Sequence, residues 1–401
     1  MSPVTAPTAP ALRGATVFPL GKQGCPDGAA LLAGAHQSGT SVLNVLLKGF
    51  LSTLAVVTAQ LCADPGLRWG SLPALPDQHG FAAMYAGRSG DVLIAAGGAN
   101  FSQRPLKEGG TKIWHDRIFV LSRPDGHWQA GGRLPRPAAY GVSGTWQDAV
   151  VCAGGGDART NFSEAWLMRW NGQAIAFESL PSLPLPIANC SGLVMGDVLY
   201  VIGGQGQPDS TSALARMFAL DLGRMPSERR WEEKPWPAGA PARIHAVLGT
   251  HHGELFLFSG IELLADSSGK VDRRYLRDAY AFKLGQGWRR LADMPEATGA
   301  APSPAIEFDA ANLLVLSGVN APWGSATGPG GATPGFAHRI WAYRPGADTW
   351  RIFSEGPTEP DSLPARVTAP LVAWQGRFVA VSGEIAPGIR TPTLLSLAAA
   401  P

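Results

Sequence analysis

Apolar residues in this chain come in short runs that end in glycine, and six of these runs align. DVLIAAGG closes at Gly98, DAVVCAGG at Gly155, DVLYVIGG at Gly204, GELFLFSG at Gly260, NLLVLSG at Gly318 and RFVAVSG at Gly383. Short apolar runs bounded by turn residues predict buried strands. Their recurrence makes the chain a six-fold repeat with a period of roughly 50 to 65 residues, slightly long for kelch-type arrays, the excess being loop.

Each repeat adds further strands in a fixed order. An inner strand precedes the glycine-ended run, and a third strand follows it: RIFVLSR, EAWLMRW, RMFALDL, DAYAFKL and RIWAYRP. An outer strand then carries an aromatic residue followed by Leu-Pro or Met-Pro, at Trp128 to Pro135, Phe177 to Pro184 and Trp288 to Pro295, with looser versions at Trp231 to Pro237 and Trp350 to Pro357. The last repeat stops after its third strand, TLLSLA, while Trp69 to Pro73 is an outer strand with no blade before it. Pairing the two fragments closes a ring and removes exposed sheet edges. The expected fold is all-β: a six-bladed kelch-type propeller over residues 66–401, its last blade completed by the N-terminal outer strand.

Composition agrees with many short strands, since 50 Gly and 34 Pro accompany 45% hydrophobic residues. The net charge of +2 and the scattered Lys and Arg leave no surface suited to nucleic acid or an anionic membrane, so a small solute is the expected partner. The four cysteines lack metal-type spacing; Cys152 and Cys190 fall in apolar strands and read as small buried residues. Residues 1–41 are rich in Ala, Pro, Gly and Ser and are expected to be disordered or to follow a start codon placed too far upstream. Residues 42–63, with Lys48 before an apolar core from Phe50 to Val57, read as a secretory signal peptide, which implies a periplasmic or secreted protein without stable membrane association after cleavage. A short membrane anchor or a helix packed on the domain would fit the same residues.

In a four-stranded blade the chain enters the inner strand and leaves the second strand on one face. Residues just before inner strands and just after the glycines therefore share a rim of the central channel. The first group holds Arg136, Tyr140, Asn189, Arg243 and His245, and the second holds Asn100, Lys112, Gln205, Glu262, Asn320, Glu384 and Arg390. Two carboxylates and several cations on one concavity suit a polar, anionic small molecule. The glycines themselves are structural, as are Trp69, Trp128, Trp231, Trp288 and Trp350, and Arg136 and Arg243 could equally pair with neighbouring carboxylates. His251 and His252 fall at a hairpin tip on the opposite face, an improbable place for a metal.

The stretch SGEIAPGIRT around Glu384 and Arg390, with GGANF, the loop to Lys112 and AAYGVSG, resembles the cyclically permuted mutarotase family, whose relatives include the sialic acid mutarotases, or N-acetylneuraminate epimerases. The blade carrying the Gly-Glu, Pro-Gly and Arg-Thr elements comes last here and mid-chain in those epimerases, a shift that a closed ring tolerates. The resemblance implies a six-bladed propeller that interconverts anomers of a sugar acid without metal or organic cofactor. It casts Glu384 as general base and Arg390 as the arginine of the same loop, with Arg243 and Tyr140 as substrate contacts. Ala138 stands where the family has an arginine before its tyrosine motif, and Arg136 lies two positions upstream. Asn100, Lys112, Asn320 and Glu262 complete the expected substrate-binding set, with Glu262 also open as a rival base. A non-catalytic carbohydrate- or protein-binding propeller is the alternative. A copper oxidase on the same frame would need histidines and tyrosines gathered on the rim, where only Tyr140 and His245 qualify.

Overall fold

The computed structural model describes residues 66–320, 336–354 and 364–399; the segments 1–41 and 42–63, read above as leader and signal peptide, lie outside the described residues. Six four-stranded antiparallel sheets form the blades of a propeller. Their inner strands are Tyr85–Ser89, Val142–Trp146, Ser191–Met195, Val247–His251, Ile306–Glu307 and Leu371–Trp374, in blade order one to six. The sixth blade closes as the sequence predicts: Leu67–Leu72 pairs antiparallel with Leu394–Ala399, from Leu67 opposite Ala399 to Leu72 opposite Leu394. No helix of the described residues is long and apolar enough to cross a membrane.

Alternation along each strand sends apolar side chains to both faces of its sheet, and those faces pack blade against blade. Each of the six blade interfaces holds its own hydrophobic cluster, such as Phe256, Phe258, Tyr343 and Trp350 between blades four and five. Burying one such side chain is worth about 1.5–3 kcal/mol, so stability is spread around the ring. The outer-strand tryptophans add a directional tie. The indole N–H of Trp128, Trp231, Trp288 and Trp350 donates to the backbone of the preceding blade, at Pro73, Pro181, Pro235 and Ala292, over 2.6–3.0 Å. Cys152 and Cys190 are buried free thiols, and burial pushes Cys190 up to about 12, as expected of packing residues.

Around the channel the blades are joined by a closed ring of backbone hydrogen bonds. One residue before each inner strand takes a left-handed conformation: Ala83, Tyr140, Asn189, His245, Ala300 and Thr368, with φ between 51° and 65°. Each donates its N–H to the carbonyl of its counterpart in the preceding blade, and Ala83 donates to Thr368, at 2.7–3.1 Å throughout. Left-handed backbone costs about 1–2 kcal/mol for an L-residue, and more trouble attends β-branched Thr368, so the ring holds these residues against their own preference.

The glycine-ended runs serve the next contact outward. Gly98, Gly155, Gly204 and Gly383 donate to Ala138, Ile187, Arg243 and Phe81 of the following blade. A Cβ at Gly97, Gly154 or Gly203 would stand only 2.3–2.6 Å from the following blade's carbonyl oxygen. Where serine replaces that first glycine, its hydroxyl adds a contact to the following blade, with Ser259 accepting from Thr298 N–H, Ser317 from Arg366 and Ser382 from Phe81. Ser382 also donates to the buried carbonyl oxygens around it. The substitution Ser382→Ala leaves the buried Phe81 N–H without its partner and should lower unfolding free energy by about 1–3 kcal/mol in chemical denaturation, with the blade pairing intact; an unchanged midpoint would mean the hydroxyl carries no such contact.

Candidate active site

Five of the ring residues, Ala83, Tyr140, His245, Ala300 and Thr368, line the central cavity, and Asn189 reaches Gln205 beside them, so the floor can be read from these positions. Tyr140, Asn189 and His245 in blades two to four are large and polar, while Ala300, Thr368 and Ala83 in blades five, six and one are small. The floor is therefore lopsided, with room over the small residues. The channel below is lined by small residues in or just before the inner strands, among them Gly141, Ser143, Ser191, Gly192 and Ser303.

Glu384 belongs to the small side. It follows Ser382-Gly383 and pairs with Val367, one residue before Thr368 of the ring. The corresponding residue of blade three, Gln205, accepts a 2.8 Å hydrogen bond from ring residue Asn189, which marks this position as facing the mouth. The stretch EIAPGIR, read as a loop from sequence, forms a short hairpin of Glu384–Ala386 and Ile389–Arg390. Glu384 Oε1 accepts the Gly388 N–H at 2.5 Å, and Oε2 lies 3.5 Å from an Arg390 terminal nitrogen.

Arg390 is the most constrained cation of this group. Its side chain is 4% exposed, its guanidinium lies 4.5 Å from the centre of the Phe101 ring, and its Nε and Nη1 have no hydrogen-bond partner among the described residues. Buried donors without partners are costly, and a guanidinium fork matches a carboxylate. Glu384 is 16% exposed and sits beside it, so a partly exposed carboxylate adjoins a guanidinium with unused donors.

Lys112 returns to the mouth at the end of the first blade's long loop, with Nζ 4.8 Å from the Tyr140 ring centre and 5.6 Å from that of Trp114. Tyr140 in turn lies 6.2 Å from His245 across the floor. Burial, then the charges of Arg273 and Lys112, push the His245 imidazole from its ordinary 6.5 down to about 3. Arg273 was not among the residues expected here. Its signal lay in the alternation of the hairpin Ile261–Ala265 and Val271–Tyr275, which sets Glu262 opposite Arg274 and Leu263 opposite Arg273.

Five other expected contacts have partners of their own in the structure. Arg243 is buried, 2.6 and 2.8 Å from the two Asp278 carboxylate oxygens and 2.9 Å from the Ser259 carbonyl, so it clamps its own blade. Arg136 pairs with Glu164 at 2.6 Å over Phe162, between the outer parts of blades one and two. Asn100 is fully buried between the Gly80 carbonyl and His115. Asn320 donates to Glu296, which also meets Arg339. Glu262 pairs with Arg274 on the hairpin face opposite Arg273. Among the described residues no group of three or more His, Cys, Asp or Glu could hold a metal ion, and His251 is bonded to Glu307 at 2.9 Å.

The depressed His245 value gives a signed prediction. Below pH 6.5 the unfolded chain takes up a proton that the folded chain refuses until about pH 3, so this residue makes stability fall as pH drops through that window. Asparagine tolerates the left-handed backbone, as Asn189 does. The variant His245→Asn should therefore lose less unfolding free energy than the parent between pH 6.5 and 4, measured by denaturant titration at several pH values; a constant difference between the two proteins would refute the neutral, cation-flanked imidazole.

A family model described as N-acetylneuraminate epimerase matches residues 19–177, which take in the first blade and nearly all of the second, with Lys112 and Tyr140, and end before Glu384. An N-acetylneuraminate epimerase of Brucella suis is 31% identical over 135 residues, covering 29% of this chain and 34% of that protein. Those of Yersinia enterocolitica and Salmonella enteritidis are 38% identical over 104 residues and 33% over 152, covering 26% and 39% of their own lengths. The aligned part thus spans about a third of the curated relatives' length. Over the part it shares with them, the chain is similar to the N-acetylneuraminate epimerase family.

Proposed function

We propose that the chain is a mutarotase that interconverts the anomers of a sugar acid, with N-acetylneuraminate as the substrate suggested by the names of its relatives. The observation that carries the reading is the pairing of Glu384 with a buried, half-satisfied Arg390 on the open side of the channel mouth. In this reading Arg390 takes the substrate carboxylate on its free donors, which fixes the adjacent anomeric carbon beside Glu384.

Glu384 accepts the proton of the anomeric hydroxyl as the bond from the anomeric carbon to the ring oxygen breaks, and the carboxyl then gives that proton to the ring oxygen. The product is the open-chain ketone. Rotation about the bond next to the carbonyl presents its other face, and the same steps in reverse close the ring as the other anomer. Arg390 eases the negative charge that builds on the anomeric oxygen during each step. The Gly388 N–H holds one carboxylate oxygen in place, which leaves the other to work.

The test is a proton NMR time course of freshly released α-N-acetylneuraminate approaching anomeric equilibrium. The parent protein should shorten it beyond the spontaneous rate, and Glu384→Gln should lose about 10²–10⁴-fold of that acceleration while keeping its fold. A parent protein no faster than buffer would end this reading for N-acetylneuraminate. Full activity in the variant would remove Glu384 as the proton carrier.

A further inference from the structure

The hairpin that carries Glu384 and Arg390 is steadied from another blade. Its two strands, Glu384–Ala386 and Ile389–Arg390, are three and two residues long, and a two-stranded hairpin of that size is marginal by itself in water. Its base is anchored where Glu384 pairs with Val367. Its tip, at Gly388, lies against the first blade's long loop, which leaves the strand Ala99–Asn100, makes one 3-10 turn at Leu106–Glu108 and returns at the strand Ile113–Trp114.

That loop is tied both to itself and to the hairpin. The Glu108 and Gly110 N–H groups donate to the Pro105 carbonyl at 3.0 Å, and the Gly109 N–H donates to that of Leu106 at 2.9 Å. At the loop's start, the Phe101 ring centre lies 4.5 Å from the Arg390 guanidinium. Leu106 meets the tip. A Cβ placed on Gly388 would stand 2.6 Å from the Leu106 Cβ and 3.0 Å from its Cδ2, and the three atoms nearest to that point all belong to Leu106. Leucine therefore covers the residue whose N–H donates to Glu384 Oε1 at 2.5 Å. A charge-assisted bond of this kind weakens where water competes for it, and apolar cover strengthens it. Leu106 is itself 37% exposed, so truncating it alters this contact far more than the core.

We propose that Leu106 is a positioning residue for Glu384: by packing on Gly388 it holds the hairpin tip and keeps the Gly388 N–H on Oε1, with Oε2 beside Arg390. The first blade thus sets the carboxylate of the sixth across the junction where the propeller closes. The inference goes beyond the mutarotase reading, and its catalytic consequence rests on that reading.

Two readouts keep the inference and that reading apart. The first needs no turnover: hydrogen exchange at the Gly388 amide, followed by NMR in the full chain labelled with 15N-glycine. Leu106→Ala should exchange at least about tenfold faster there than the parent, Leu106→Met should stay near the parent, and blade amides such as those of Gly98 and Gly204 should be unchanged. The second is the anomer time course. In a parent protein faster than buffer, Leu106→Ala should lower kcat about tenfold with KM within about twofold, and Leu106→Met should restore it. A parent no faster than buffer ends the mutarotase reading and leaves the exchange result to decide the inference. The inference is overturned if Gly388 exchanges alike in Leu106→Ala and the parent, or if the blade amides lose protection along with it. Faster exchange at Gly388 with an unchanged kcat in an active protein overturns it as well.

Discussion

The ring of six backbone hydrogen bonds around the channel is the constraint on which the rest depends. It requires a left-handed residue at the same point of every blade, and each of those residues donates to the blade before it, from Tyr140 to Ala83 and round again to Ala83 on Thr368. The sixth blade closes the cycle through Thr368, and it takes its outer strand from Leu67–Leu72 at the other end of the described chain. Strand exchange thus closes the propeller at its outer edge and the ring closes it at the channel.

The same ring turns a nearly symmetric frame into a site. Because five of its residues line the central cavity and Asn189 reaches Gln205 beside them, their sizes decide where a ligand has room: Tyr140, Asn189 and His245 fill one side, and Ala300, Thr368 and Ala83 leave the other open. The position just after the glycines is Ala99, Gly156, Gln205, Ile261 and Val319 in the first five blades, and a carboxylate, Glu384, in the sixth. One blade thus carries the carboxylate that we propose for proton transfer, and its neighbours form the wall. The sixth blade also seats Arg390 against Phe101 of the first, so the chemistry lies at the junction that strand exchange closes.

Much of this was legible in the sequence because it depends on local pattern. Six glycine-ended runs specify the blades, the unmatched strand at Trp69 and the unfinished repeat at TLLSLA specify the closure, and the Glu384 and Arg390 charges stand out against their own repeat. The alternation between Gly-Gly and Ser-Gly was visible as well, although its meaning, a hydroxyl adding a contact to the following blade, needed the neighbouring blade. Partners distant in sequence were not legible. The sequence left Arg243 and Arg136 open between the mouth and a neighbouring carboxylate, and the partners, Asp278 and Glu164, lie 35 and 28 residues away. The pairing of Glu262 with Arg274 follows from the hairpin register, which is set by pairing across a turn. Burial of Asn100 follows from Gly80 and His115 approaching it, which no spacing rule conveys.

The central claim is spatial: a sugar acid sits over the small side of the ring, with its anomeric centre at Glu384 and its carboxylate on Arg390. A crystal structure of Glu384→Gln soaked with N-acetylneuraminate tests it most directly. The account predicts the sugar ring above Ala300, Thr368 and Ala83, its carboxylate on the free Arg390 donors and its anomeric oxygen within hydrogen-bond reach of residue 384. A sugar bound elsewhere on the propeller, or one in the mouth with its carboxylate turned away from Arg390, would contradict it.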